Sequence, residues 1–180
     1  LYVGALGRYK GVDVLLDAYG RLDAPPPLVL IGYETSEYPI ATTDPPAGVR
    51  ILTNWDHGAV MQAWRRATIG VIPSIWQEPF GIVALEAMAT ATPVVASRIG
   101  GLTDIVEDGR TGRLVAPGDA GALASALAEL LADPALRDRM AEQGRDRVGR
   151  FTESAVVPRF ERIYEDVLAG RPPARPAPPG

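Results

Sequence analysis

Pro73-Ser74-Ile75-Trp76-Gln77-Glu78-Pro79-Phe80-Gly81-Ile82-Val83-Ala84-Leu85-Glu86-Ala87-Met88-Ala89 is the stretch from which the rest of the chain is read. Before it, the β-branched run Thr68 to Pro73 has the length and residue types of a buried strand. Ser74 to Pro79 reads as a loop, and Phe80 to Ala89 as a helix with Pro and Gly at its start. A strand that feeds a helix through such a loop aims the helix N-terminus at the carboxyl edge of the sheet. Its N–H groups and positive dipole end then face a crevice suited to an anion. Glu78 in the loop and Glu86 eight residues on frame that crevice.

Glu86 is a charge among Ile82, Val83, Leu85, Ala87 and Met88, so its helix reads as apolar nearly all round and buried. A buried carboxylate without a partner costs several kcal/mol, so one is required. Backbone N–H groups or Arg98 would serve, and so would a pair of ligand hydroxyls. Taken alone, Glu86 fits the first two; with Glu78, the Pro-Phe-Gly turn and the strand-end position beside it, the ligand is the better match.

Working outward, Leu1-Tyr2-Val3 reads as the end of a strand, and Gly4-Ala5-Leu6-Gly7-Arg8-Tyr9-Lys10-Gly11 as a glycine-rich loop with two cations. Cations beside glycines suit a diphosphate, because the backbone approaches closely and the charges meet phosphate oxygens. A solvated surface pair is the alternative. Val12, Leu15, Leu16 and Tyr19 recur at helical spacing. Leu28 to Gly32, Val49 to Leu52, Pro93 to Ser97 and Gly112 to Val115 read as further strands, with an irregular connection from Tyr33 to Gly48. His57 to Ala67 and Leu102 to Glu107 read as helices. Asp119 caps a helix to Ala132, Asp133-Pro134 opens another to about Gly149, and Thr152 caps a last one to Leu168 that contains Pro158.

Strands alternating with helices, each strand a continuous apolar run, predict a doubly wound, Rossmann-like parallel sheet of about six strands. Ligands bind such sheets beyond the carboxyl ends of the strands, where Gly4 to Lys10, Gly32 to Glu34, Thr53 to Trp55, Ser74 to Gly81 and Ser97 to Gly101 are all expected. The domain is expected to span residues 1–170, and the Pro-rich residues 171–180 to be a disordered tail. Because Leu1 falls inside what reads as a strand, a longer parent protein is expected.

Composition narrows the function. A net charge of −4 gives no nucleic-acid footprint, and the lack of cysteine excludes a disulfide framework and thiolate metal sites. A single histidine excludes a His cluster, and no run has transmembrane length or signal-peptide form. A cytoplasmic protein is expected, with any membrane contact made elsewhere.

The Glu78-x7-Glu86 spacing, inside P-S-x-x-x-E-P-F-G-I-V-x-L-E-A-M-A, resembles the group 1 retaining glycosyltransferases of the GT-B fold, and the resemblance runs from about Leu1 to Phe151. It implies the carboxyl-terminal, donor-binding half of such an enzyme, inactive alone, whose partners are a nucleotide-sugar and an amino-terminal half holding the acceptor. No cofactor or metal is implied. Catalytic roles fall on Glu78, Lys10 and Arg8. Donor binding falls on these three with Gly4, Trp55, Phe80, Gly81, Ile82 and Glu86: Glu78 would hold sugar hydroxyls, the Phe80 to Ile82 N–H groups the sugar and phosphates, Glu86 the ribose, and Trp55 the base. The last helix of the family crosses back to the amino-terminal half.

Three departures from the family pattern stand out. Ala5 occupies the usual Arg position, and Arg8 in a shorter loop is the candidate substitute. Ala91 stands where Gly usually ends the central helix, and Thr103-Asp104 where Pro-Glu is usual. Trp64 and Trp76 are expected to pack, His57 to be a surface or capping side chain, and Trp55 either to stack on a base or to pack. Two rivals remain. A pyridoxal-dependent phosphorylase would need Lys10, the only lysine, for its Schiff base. A non-catalytic nucleotide- or protein-binding module would keep the same fold.

Overall fold

The computed structural model describes residues 1–34 and 45–172. Six strands alternate with helices: β1 (Tyr2–Leu6), α1 (Val12–Gly20), β2 (Leu28–Glu34), β3 (Val49–Leu52), α2 (His57–Arg66), β4 (Gly70–Ile72), α3 (Ile82–Ala89), β5 (Val94–Ser97), α4 (Leu102–Ile105) and β6 (Gly112–Val115). Three helices follow, α5 (Ala120–Ala132), α6 (Pro134–Val148) and α7 (Glu153–Leu168).

All pairings are parallel. Tyr2 lies opposite Leu30, and Leu28 opposite Val49; Gly70 lies opposite Val94, and Val94 opposite Gly112. The two three-stranded groups meet at Leu1, whose carbonyl accepts from the Val71 N–H at 2.9 Å and whose nitrogen donates to the Ile69 carbonyl at 2.8 Å. The resulting order, β3-β2-β1-β4-β5-β6, is that of a Rossmann-like doubly wound sheet, and it reverses direction between β1 and β4.

Strand side chains alternate between two buried layers. Leu30, Val71 and Val95 join Val12, Leu15, Leu123 and Leu130 in the layer under α1 and α5. Their neighbours Ile31, Ile72, Val94 and Ala96 join Trp64, Leu85, Met88 and Ile105 in the layer under α2, α3 and α4. Burial on both faces is why the strands read as unbroken apolar runs. A buried guanidinium ties the far end together: Arg147 on α6 pairs with Glu107 and donates to the Ile105 and Asp104 carbonyls at 2.6 Å each, satisfying the end of α4.

Several boundaries differ from the sequence expectations. β1 runs on through Gly4, Ala5 and Leu6, which were expected in the loop. β2 extends to Glu34, two residues past its expected end, because Tyr33 and Glu34 continue the ladder with Ala5 and Leu6 of β1. β4 covers only Gly70–Ile72 of the expected Thr68 to Pro73. α3 begins at Ile82 rather than Phe80, because Gly81 is left-handed with φ 98°. Most of the expected irregular connection, residues 35–44, lies outside the described residues, as does most of the Pro-rich tail.

Asp119 and Asp133 cap as expected, accepting from Ala122 N at 2.8 Å and Leu136 N at 2.9 Å. Thr152 holds the cap position of α7, but its hydroxyl donates to the Gly149 carbonyl at 3.1 Å, not accepting from the helix. α7 has no buried residue, and Val157, Phe160, Tyr164 and Val167 lie exposed along it.

α3 ends in a double-bonded turn, with Ala91 N donating to the Met88 carbonyl at 2.9 Å and Thr92 N to the Ala87 carbonyl at 3.0 Å. Ala91 takes the left-handed position with φ 57°, where a Cβ is strained. Ala91→Gly is expected to stabilise the fold by about 0.5–1 kcal/mol, the relief of strain exceeding the unfolded-state entropy that Gly adds. Denaturant unfolding measures this, and a less stable variant would show that the turn carries no strain.

Candidate active site

The loops after β1 and β4 meet where the strand order reverses. The first is a single tight turn, Arg8–Lys10, closed by Gly11 at φ 70°. Only glycine fits there, since a Cβ on Gly11 would lie 1.9 Å from the Pro73 carbonyl oxygen. One residue pair on, Ile75 N donates to the Tyr9 carbonyl at 3.1 Å. The two loops are thus locked backbone to backbone, and this places Lys10 against Glu78.

Lys10 Nζ forms an ion pair with Glu78 Oε1, and the Ser74 hydroxyl donates to the same oxygen at 2.7 Å. The ammonium also lies 5.1 Å from the centre of the Trp76 ring and 5.6 Å from that of Tyr9, within cation–π range. Those two rings meet edge to face at 5.7 Å. Glu78 is buried. Burial raises its pKa, but hydrogen bonds from Lys10 and Ser74, the Lys10 charge and a smaller contribution from Trp76 outweigh that, holding the carboxyl below its ordinary 4.5. Beneath the strand, burial pushes the Tyr2 hydroxyl well above the usual phenol range, so it stays a neutral donor, bonded to the Ala5 carbonyl at 2.5 Å.

From below, Gly100 and Gly101 support the loop. A Cβ on Gly100 would come within 2.2 Å of the Glu78 carbonyl oxygen, and one on Gly101 within 2.5 Å of that of Phe80. The Gly101 N–H donates to the Glu78 carbonyl at 2.8 Å. Gly81 then turns the chain into α3, whose N-terminus has no side-chain cap among the described residues. Its first N–H groups are left for solvent or a ligand, with the Phe80 and Ile82 side chains exposed beside them.

One turn into α3, Glu86 departs from expectation. Its side chain is 19% exposed, half-buried rather than buried, and its partner is neither the backbone nor Arg98, which pairs with Asp108. Glu86 Oε1 instead accepts from His57 Nε2 at 2.9 Å. His57 opens α2, but the capping side chain there is Asp56, which accepts from Ala59 N at 2.9 Å. No local pattern signals this bond, because it joins residues 29 apart on two different helices.

Trp55, just before α2, is exposed, and Trp64 is fully buried as a packing residue. Trp76 was expected to pack; it is exposed in the loop, against Lys10. Arg8 is exposed and its guanidinium has no partner among the described residues. Gly4 lies within β1, opposite Gly32 on β2. An apolar groove of about 560 Å³, lined by Leu1, Tyr19, Leu28, Val29 and Trp55 among others, includes neither Lys10, Glu78 nor Glu86.

A doubly wound sheet with a cation–carboxylate pair and an uncapped helix N-terminus at its switch point is the frame of a nucleotide-binding α/β domain. The chain belongs to the glycosyl transferases group 1 family, whose model matches residues 1–147. It is 38% identical over 174 residues to a phosphatidyl-myo-inositol mannosyltransferase of Mycobacterium leprae, covering 90% of this chain and 46% of that protein. Among solved structures it is similar to a sucrose-phosphate synthase from Thermosynechococcus elongatus, with TM-score 0.80, 32% identity, and coverage of 94% of this chain and 46% of the other. It is also similar to Anabaena HepE in complex with UDP and glucose, with TM-score 0.77, 25% identity, and coverage of 93% and 48%. The chain spans about half the length of these relatives. Among the described residues, no helix is long and apolar enough to cross a membrane.

The Lys10–Glu78 pair sets a pH dependence. Because the folded pKa of Glu78 lies below 4.5, the unfolded chain takes up the proton first on acidification. The stabilisation is whole above that value and is lost as pH falls through the folded pKa. Glu78→Gln is expected to destabilise the fold at pH 7 by about 1.5 kcal/mol, a difference that shrinks as pH falls below 4.5 and through the folded pKa of Glu78. Denaturant unfolding of both proteins across this range measures it; a difference that does not change with pH would mean the pair contributes nothing.

Proposed function

We propose that this chain is the donor-binding half of a retaining glycosyltransferase, which moves a sugar from a nucleoside diphosphate donor to an acceptor. The observation that carries this reading is the meeting of Lys10 and Glu78 beside the uncapped start of α3, at the switch point of the sheet. That constellation offers an ammonium and N–H groups to a diphosphate, and a carboxylate to the hydroxyls of the sugar next to it. Membership of the group 1 family and the UDP held by the HepE neighbour support it.

In this reading Lys10, Arg8 and the N–H groups of Phe80, Gly81 and Ile82 meet the diphosphate. As the bond to the sugar breaks, negative charge gathers on the departing phosphate oxygen, and the Lys10 ammonium and the α3 dipole stabilise it in place. Glu78 orients the sugar through its hydroxyls. Glu86 accepts from the ribose hydroxyls, and Trp55, exposed at the head of α2, stacks on the base. Gly4 lies on the strand that delivers the first loop. The amino-terminal half would supply the acceptor site, and the exposed apolar residues of α7 suit contact with it. The nucleotide-sugar is a substrate, so no cofactor enters, and the reaction would run in the cytoplasm.

A non-catalytic binding module is the second reading, favoured by one observation: Ala5 replaces the family arginine and Arg8 is exposed without a partner among the described residues. Calorimetric titration of the chain with UDP, GDP and their glucose and mannose conjugates tests the donor reading, and binding of none of them at millimolar concentration would overturn it. Arg8→Ala is expected to weaken nucleoside diphosphate binding by roughly tenfold while leaving the affinity for the bare nucleoside unchanged. Equal diphosphate affinity of variant and parent would remove Arg8 from the site.

A further inference from the structure

The single histidine is engaged in the site in a way that its exposure alone would not suggest. His57 is the first residue of α2, 72% exposed at its side chain, and its Nε2 meets Glu86 Oε1 at 2.9 Å. A carboxylate can only accept, so Nε2–H is the donor and the proton sits on that nitrogen. Asp56 holds the first turn of α2 through Ala59 N, which fixes the backbone from which the imidazole reaches. The contact spans α2 and α3, which otherwise meet through Val60, Trp64, Leu85 and Met88.

The other oxygen of Glu86 has no partner among the described residues. A carboxylate offers about four lone-pair directions, and His57 takes one. One oxygen is thus anchored and the other open, with capacity left on both. The glutamate is a long side chain with rotamer freedom to lose, and the bond to His57 removes part of that freedom before any ligand arrives.

We propose that His57 is a positioning residue: its imidazole N–H holds the Glu86 carboxylate in the orientation that receives the two ribose hydroxyls of a nucleotide. The inference rests on the reading of Glu86 as the ribose partner and adds a residue to it. His57 itself touches the carboxylate, not the ligand.

The test uses the ratio of affinities for UDP and for 2′,3′-dideoxy-UDP, and likewise for GDP and its dideoxy analogue, measured by calorimetry on the parent, His57→Ala, His57→Gln and Glu86→Gln. The ratio reports only what the ribose hydroxyls contribute, so a general loss of structure cannot change it alone. In His57→Ala the ratio should fall by roughly three- to tenfold, with the dideoxy affinity unchanged. His57→Gln, whose amide keeps an N–H, should restore most of it. Glu86→Gln should bring the ratio close to one. If Glu86→Gln collapses the ratio while His57→Ala leaves it at the parent value, His57 plays no positioning part and the ribose reading stands. If Glu86→Gln leaves the ratio unchanged, the ribose reading falls and the role of His57 with it. If His57→Ala lowers both affinities equally, the bond is structural and the proposal is overturned.

Discussion

The site depends on one steric constraint: the loop between β4 and α3 runs between backbones that leave no room for a Cβ. Gly11 presses on Pro73 from one side, and Gly100 and Gly101 press on Glu78 and Phe80 from the other. A hydrogen bond reinforces each contact, from Ile75 to Tyr9 and from Gly101 to Glu78. Three neighbouring crossings are thereby fixed to each other without side chains between them. These contacts fix the loop by backbone geometry, and that places Lys10 and Glu78 independently of their own attraction.

The sheet supplies the other half of the arrangement. Its strands are buried on both faces, and the point where its order reverses leaves the loops after β1 and β4 side by side with no helix between them. Among the described residues, Leu1 and the residues opposite it, Ile69 and Val71, join the two three-stranded groups by backbone bonds. The crevice therefore opens over the seam of the sheet, and it is the loops that stiffen that seam at its carboxyl edge.

Much of this was legible in the sequence because it is local. Apolar runs of Val, Ile and Leu gave the strands, spacing such as Leu123, Leu127 and Leu130 gave the helices, and Asp119 and Asp133 gave their starts. The family-like motif placed Glu78 in a strand-end loop, and topology then brought Lys10 to it. What was not legible required knowing which elements touch. The ends of β1 and β2 depend on pairing that the residues themselves do not announce. Glu86 read as a buried charge in search of a nearby partner, and Arg98 was the nearest cation in sequence. The fold instead turns Arg98 to Asp108 and brings His57 from another helix. Trp76 read as a packing residue because large aromatics usually are, yet a loop held by backbone contacts had no need of it in the core.

The pairing of Lys10 with Glu78 has a consequence for what the crevice rejects. Because the Lys10 ammonium is already paired, an anion that needs Lys10 must detach it while leaving Glu78 buried beside Ser74 alone. A molecule bearing both phosphate and adjacent hydroxyls, such as the proposed donor, would face no such penalty, since it would replace each member of the pair with a new partner. On the proposed donor reading, the contact would act as a lock with two keys, discriminating against inorganic phosphate through the unmet needs of a carboxylate rather than through the shape of the opening.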